Sequence, residues 1–205
     1  EHLPGVLSTI PKFVDKIVVV DDGSTDGTGG LVGDAELVTL SGEGVGAAID
    51  NGHQRLLKIL EGRFISVVMA GDGQMDPSDM EGLLKPIIEG NAHHVKGERL
   101  DRAGKMPVYR RFGTLLLTLL TTLACGQTVR DPQCGYTATS SAVLQSWNWD
   151  KSWKGYGYPN WWLMRLSESG WKIAHISVKA IYGGQKSGIR VLTFLWIANN
   201  FLASS

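Results

Sequence analysis

Two apolar runs in this chain each break into an acidic, glycine-punctuated turn, and few folds accommodate that pattern twice. The first is Val18-Val19-Val20-Asp21-Asp22-Gly23-Ser24-Thr25-Asp26-Gly27, and the second is Val67-Val68-Met69-Ala70-Gly71-Asp72-Gly73-Gln74-Met75-Asp76-Pro77. Each reads as a buried strand whose C-terminal end opens into a carboxylate-bearing loop. In open parallel sheets, ligands bind at those ends. Two such loops side by side suit a nucleotide and a divalent cation.

The remaining pattern agrees with an α/β chain. Apolar runs at 17–20, 37–40 and 64–69 predict strands, with a shorter one near 94–96 and a last one over 172–178. Between them, Ala48, Ile49, Gly52, Leu56 and Leu60 share one helical face. Ser78-Asp79-Met80-Glu81 has the form of a capping box. The helix it opens carries Met80, Leu83, Leu84, Ile87 and Ile88, with Gly90 as its stop and Pro86 as an interruption. A long helix is expected over 109–124, a loop over 129–139, short helices near 141–147 and 160–169, and an apolar C-terminal helix. Strands alternating with helices give βαβ units, a parallel sheet and right-handed crossovers.

Composition narrows the function. The chain is long enough for one substantial domain, and 43% hydrophobic residues support a core. Twenty Lys and Arg balance twenty Asp and Glu, so bulk charge gives no nucleic-acid footprint. Two cysteines, Cys125 and Cys134, make no disulfide framework or metal spacing and fit a reducing compartment. The apolar stretches 115–125 and 191–203 fall short of the roughly 18 to 20 residues that span a bilayer, which leaves core packing or an interfacial position. All seven Trp lie at 147 or beyond, which points to a face against lipid or sugar.

Five groups of residues can carry chemistry. Asp21-Asp22-Gly23-Ser24 can accept hydrogen bonds from a nucleobase or ribose, with Ser24 or Thr25 capping the next helix; a ligand-free Asp/Ser turn reads equally from these residues. Asp72 supplies a hard charged oxygen for a cation on diphosphate, and Gln74 a neutral one. The glycine loop 42–48 opens a helix and can face an anion, but close packing of loop on sheet is the better account of its glycines. Asp131, in Arg130-Asp131-Pro132-Gln133-Cys134-Gly135-Tyr136, can serve as a general base or stand in a plain polar loop. Lys96, Arg99, Arg102, Arg110, Arg111, Lys186 and Arg190 read as scattered surface cations, but the Gly-flanked 183–188 loop can close over phosphates. Neither a P-loop nor a GxGxxG after the first strand is present, which disfavours a nucleotidyltransferase or NAD enzyme.

In order along the chain, VVVDDGSTDGT, GVGAA, MAGDGQMDP, KGERL with MPVYRRFGT, DPQCGYTA, YGYPN and KSGIR resemble the family 2 inverting glycosyltransferases, in the branch of dolichol- and polyprenyl-phosphate sugar synthases. The resemblance spans nearly the whole chain. It implies a single GT-A domain over 1–205, a mostly parallel α/β sheet sandwiched by helices. The half to about residue 100 would bind nucleotide, and the remainder would face the acceptor and end in an interfacial helix. It implies Mg²⁺ or Mn²⁺, a nucleotide-diphosphate sugar and a lipid-phosphate acceptor at a membrane surface. It also implies a cytoplasmic, peripheral position at the inner (cytosolic) membrane face. Donor contacts would fall to Asp21, Asp22, Gly23, Asp72, Gln74, Lys186, Ser187 and Arg190, with Asp72 on the metal. Acceptor contacts would fall to Arg99, Arg110 and Arg111, and base catalysis to Asp131.

Three departures stand out. Ala70 replaces the first acid of the DxD-type motif, Gly42 an Asn of the glycine loop, and Glu98 the Asn of a KGNR-like block. The family's first strand, with its hydrophobic-Pro-x-Tyr-Asn-Glu motif, would precede Glu1. A sheet without it is expected to leave a strand unpaired. Transfer to a saccharide or protein hydroxyl, and a weakened nucleotide-sugar-binding relative, are the alternatives.

Overall fold

The computed structural model describes residues 2–99, 118–119, 122, 126, 129, 131, 134–155, 157–179 and 181. Arg110, Arg111, Lys186, Ser187, Arg190 and the helix expected over 191–203 lie outside them, as does the helix expected over 109–124 except for residues 118, 119 and 122, which are helical.

Six strands are described: β1 (Val18–Asp21), β2 (Glu36–Thr39), β3 (Ile65–Val68), β4 (His94–Glu98), β5 (Thr137–Ser140) and β6 (Ile173–Ser177). The helices are α1 (Leu3–Thr9), α2 (Val45–Ile59), α3 (Met80–Ile88), α4 (Ser141–Ser146) and α5 (Tyr158–Glu168). β1 and β2 form one parallel pair, and the other strands form a sheet in the order β3-β5-β4-β6. β4 runs parallel to β6, whereas β5 is antiparallel to both β3 and β4. The expectation of a mostly parallel sheet therefore meets an antiparallel strand at its centre. That strand falls where a loop over 129–139 is expected, because Thr137-Ala138-Thr139-Ser140 contains no apolar run. Pairing on both edges buries it instead.

α3 starts differently from its expected capping box. The Asp76 carboxylate accepts the Ser78 N–H at 2.9 Å and caps a short 3-10 turn, Pro77–Asp79, which leads into the α-helix. Pro86 is accommodated inside that helix, and Gly90 ends it at φ +74°. Likewise, no helix follows Ser24 directly. Asp26 accepts the Thr28 N–H at the start of a 3-10 turn, Thr28–Leu31.

One face of the larger sheet is apolar. Val95 and Ala138 pack with Leu83 of α3, Tyr136 and Val178. Six of the tryptophans pack elsewhere: Trp162 is buried, and Trp147, Trp149, Trp153, Trp161 and Trp171 gather round it with Val143, Leu144 and Tyr158. These six thus contribute to the core under α4 and α5, and Trp196 lies outside the described residues.

Between the two sheets lies a cavity of about 930 Å³. β1 and β3 line it along their whole length, and among the described residues each pairs on one edge only. The Ala48, Ile49, Gly52, Leu56 and Leu60 face of α2 turns toward it, and Leu3, Val6, Leu7 and Ile10 of the N-terminal region close another side. Two strand edges and two apolar helix faces thus border one void. Asp50 and His53 are the buried polar side chains of α2, and His53 lines the cavity as well.

Candidate active site

β3, β4 and β6 run in one direction, since β5 is antiparallel to β3 and β4 while β6 is parallel to β4. Their C-terminal ends therefore open on one edge. The Asp72 turn follows β3 there, Arg99 follows β4, and Lys179 and Ile181 follow β6.

The first acidic turn is held from inside. Asp21 Oδ1 accepts the Ser24 N–H at 2.9 Å. Asp22 reaches the glycine loop: Oδ1 accepts the Glu43 N–H at 2.7 Å and Oδ2 the Gly44 N–H at 2.8 Å. Those amides thus meet an internal carboxylate. The Gly46 N–H goes to the Lys154 carbonyl at 3.0 Å. A Cβ on Gly46 would stand 2.2 Å from the Trp153 carbonyl oxygen, and one on Gly44 2.6 Å from that of Lys154. The glycines permit close packing, but against the 153–155 backbone and not the sheet. Asp21, Asp22, Ala70 and Gly71 line the same cavity, which joins the two acidic turns. Gly23, at φ +84°, makes the sharp bend beside Gly42.

In the second turn Asp72 Oδ1 accepts the Gln74 N–H at 3.0 Å. The Ala70 N–H points to Met75 Sδ at 3.3 Å, so a thioether sits near the position of the missing first acid. Ile181 N–H donates to the Gln74 carbonyl at 3.2 Å. Lys179 binds this turn as well, through its N–H to Asp79 Oδ2 at 2.7 Å and its Nζ to Asp76 Oδ2 at 3.2 Å. Hydrogen bonds from Ser78, with Lys179 beside it, hold the Asp76 carboxyl below its ordinary range.

Among the described residues no three His, Cys, Asp or Glu side chains cluster around a metal position. Asp72 and Gln74 nevertheless suit a hard cation. Mg²⁺ is commonly held by one or two carboxylates, with substrate phosphates and water completing its shell. One carboxylate and one amide fit that mode and leave most of the shell to a diphosphate.

At the end of β4, Arg99 grips Asp131. Its Nε donates to Oδ2 at 2.7 Å, its Nη2 to Oδ1 at 3.2 Å and its backbone N–H to Oδ2 at 3.2 Å. Such a two-pronged, charge-assisted pair is geometrically specific. The segment that follows Asp131 runs along the second turn: Tyr136 Oη donates to the Asp76 carbonyl at 3.1 Å. Asp131 and Arg99 are thus joined to each other and, through 134–136, to the Asp72 turn.

Beneath this edge the second face of the sheet is polar and buried. Register aligns Ser66, Thr139 and His94 in one row and Thr137, Lys96 and His175 in the next. His53 Nδ1 lies 3.0 Å from Ser66 Oγ, and His94 Nδ1 2.9 Å from Thr139 Oγ1. Burial pushes His53 down to about 4 and His94 well below the usual imidazole value, so both are neutral near pH 7. Glu98 Oε1 lies 3.1 Å from His175 Nδ1. Lys96, grouped by sequence with surface cations, is fully buried.

Sequence reasoning also missed a tie behind the glycine loop. Tyr158 Oη donates to Asp50 Oδ1 at 2.6 Å, and Lys154 Nζ approaches Oδ2 at 3.5 Å. Burial raises the Asp50 carboxyl, against the hydrogen bonds from Tyr158 and Ser152 and the charge of Lys154. Asp50 lies three residues from His53 on α2, a spacing that places both on one face; that was the available signal.

No helix among the described residues is long and apolar enough to cross a membrane. In sequence, the chain is 27% identical over 191 residues to the UDP-N-acetylglucosamine–dolichyl-phosphate N-acetylglucosaminyltransferase of Methanococcus voltae, covering 82% of this chain and 75% of that one. It is 32% identical over 126 residues to the glycosyltransferase AglJ of Haloferax volcanii, covering 60% of this chain and 40% of that one. In structure, it superposes on the glucosyl-3-phosphoglycerate synthase of Mycobacterium tuberculosis, solved with Mn²⁺, UDP and phosphoglyceric acid. There the TM-score is 0.68 at 21% identity, over 90% of this chain and 67% of that one. The pattern of glycosyl transferase family 2 matches residues 5–150, which takes in both acidic turns, the glycine loop and the Arg99–Asp131 pair. With most of its length accounted for in this way, the chain belongs to glycosyl transferase family 2, as a glycosyltransferase with the GT-A fold.

Proposed function

We propose that the protein moves a sugar, with inversion, from a nucleotide-diphosphate sugar to a polyprenyl or dolichyl phosphate at a membrane surface. The observation that carries the reading is the Arg99–Asp131 pair beside the Asp72 turn. Both Asp131 oxygens accept from Arg99. A carboxylate so engaged suits the anchoring of a cation better than the removal of a proton. An acceptor whose attacking oxygen is already ionised needs no base, only placement and charge. A phosphate is such an acceptor, and the Methanococcus voltae relative is named for one.

In this reading Asp21 and Asp22 shape the nucleoside end of the cleft. Asp72 and Gln74 would hold Mg²⁺ or Mn²⁺, the cations named with UDP in the M. tuberculosis synthase structures. The cation would neutralise charge on the leaving diphosphate. Lys186, Ser187 and Arg190 are proposed to cover that diphosphate. Arg99, with Arg110 and Arg111, would orient the acceptor phosphate on the opposite face of the sugar. The apolar 191–203 segment would rest on the cytosolic membrane face.

The test is transfer from labelled UDP-N-acetylglucosamine or UDP-glucose to dolichyl phosphate in phosphatidylcholine vesicles, with and without Mn²⁺. Expected is metal-dependent label in the lipid, reduced about 100-fold or more in Asp72→Ala. Label passing only to saccharide or protein hydroxyls, or an Asp72→Ala variant with unchanged metal dependence, overturns the reading.

A further inference from the structure

The Asp131 turn is tied at both ends to the same strand. At one end Arg99, just past β4, binds the Asp131 carboxylate. At the other, Lys96 of β4 donates from Nζ to the Cys134 carbonyl at 2.5 Å. Between them the turn closes on itself, with the Cys134 N–H donating to the Asp131 carbonyl at 3.3 Å. Just beyond, the ladder begins: Gly97 N–H donates to the Tyr136 carbonyl, and Thr137 pairs with Lys96. The Cys134 carbonyl therefore lies outside the regular ladder and is met by a side chain.

A buried ammonium is a costly donor for one carbonyl. A hydroxyl or amide would satisfy it more cheaply, so the charge requires its own explanation. Around Lys96 stand His94 and Glu98 from its own strand, Arg99 just past it, His175 from β6, and Asp131 and Cys134 from the turn. Both imidazoles in this set have buried ring nitrogens. Among the described residues, the Lys96 ammonium and the Arg99 guanidinium face the Glu98 and Asp131 carboxylates. Removing the Lys96 charge makes the group beneath Arg99 more negative, at the place proposed to receive a phosphate.

We infer that Lys96 is a positioning residue of the acceptor side: its ammonium fixes the Asp131–Cys134 turn that holds Arg99, and balances the carboxylates beneath it. The inference rests on the phosphate-acceptor reading for its kinetic consequences, but not for its structural one. Burial, with Arg99 adding to it and Asp131 and Glu98 opposing it, lowers the amine from 10.5 to about 8. Because the lysine is charged below that value, its contribution is present near pH 7 and is lost as pH rises through about 8.

The experiment pairs Lys96→Met with the wild type. In the transfer assay with dolichyl phosphate vesicles, Lys96→Met should raise the KM for the lipid phosphate about tenfold with a smaller change in kcat. Its pH profile should be flat across the range in which the wild type loses activity, around pH 8. Hydrogen exchange gives the second measurement, corrected for intrinsic rates. Wild-type protection of the Cys134 amide should step down around pH 8, and Lys96→Met should lack both the protection and the step. A variant that keeps the wild-type KM and alkaline fall, or wild-type protection without a step, overturns the inference. If Lys96→Met does not fold, the wild-type exchange profile decides. If the wild type transfers no sugar to lipid phosphate, the acceptor reading fails while exchange still decides the role of Lys96.

Discussion

At Gly46 the absence of a side chain sets how closely α2 approaches the 153–155 backbone. An added Cβ would meet the Trp153 carbonyl oxygen at 2.2 Å and Tyr158 Cδ2 at 2.8 Å, and a main-chain oxygen cannot turn aside. Gly46→Ala should therefore destabilise the fold by about 3 kcal/mol or more in urea unfolding. Gly82→Ala is the control. Its Cβ would meet only Ile176 Cδ1 at 3.2 Å, the mobile end of a side chain, and alanine is favoured over glycine inside a helix. A change within about 0.5 kcal/mol is expected there. Equal losses at the two positions would refute the close-approach argument. The contrast also marks what single residues disclose in sequence. Asp22 is legible as a strand-end acid from its own neighbours, but its partners Glu43 and Gly44 are far along the chain and reach it only through β1–β2 pairing. Lys96 is illegible for the same kind of reason: its burial comes from β5 and β6 on either side, and neither is adjacent in sequence.

Among elements, α2 carries two faces with different roles. Its apolar stripe, plain in the sequence, borders the cavity, while Asp50 is buried against the tryptophan-rich core and His53 stands where that core meets the cavity. Hydrophobic periodicity finds the first stripe because it looks for apolar side chains. It passes over the second, where polar groups are buried as hydrogen-bonded pairs. β5 is hidden likewise, since its threonines are polar in sequence yet buried between β3 and β4. The Asp50–Tyr158 pair ties α2 to α5, and through Lys154 to the glycine loop that Asp22 holds. Asp50→Asn keeps an acceptor for the Tyr158 hydroxyl and removes a charge that burial opposes. It should leave stability within about 1 kcal/mol. Asp50→Ala leaves that buried hydroxyl without its acceptor and should cost about 1 to 3 kcal/mol. Urea denaturation of both variants and of Tyr158→Phe separates the cases. An Asp50→Asn loss as large as that of Asp50→Ala would show that the charge, not the hydrogen bond, secures the tie.

For the whole molecule, the cavity between β1 and β3 sets where the fold is weakest. β4 and β5 are paired on both edges, whereas β1 pairs only with β2 and β3 only with β5. The cavity-facing backbone groups of β1 and β3 have no ladder partner among the described residues, and an unmet buried polar group costs about 1 to 3 kcal/mol. Water in the cavity reduces that cost but exposes the apolar face of α2 to solvent. The two sheets are therefore coupled mainly through helices, and local opening along β1 and β3 should be cheaper than opening at β4 and β5. Amide exchange measures this directly. Cavity-facing amides of Val18–Asp21 and Ile65–Val68 should exchange orders of magnitude faster than those of His94–Glu98, and the dye ANS should bind the apolar walls. A chain in which an extended apolar segment occupies the cavity should lose the dye and gain protection on both edges together, because one strand would pair with each. Exchange at β1 and β3 as slow as at β4 in the 205-residue chain would mean that the two sheets already behave as one. Coupled protection also bears on catalysis, since Asp21 and Asp22 stand on one side of the cavity and Ala70 and Gly71 on the other. A change in cavity width moves the nucleoside end relative to the Asp72 turn, so donor affinity should rise with protection of the β1 and β3 amides.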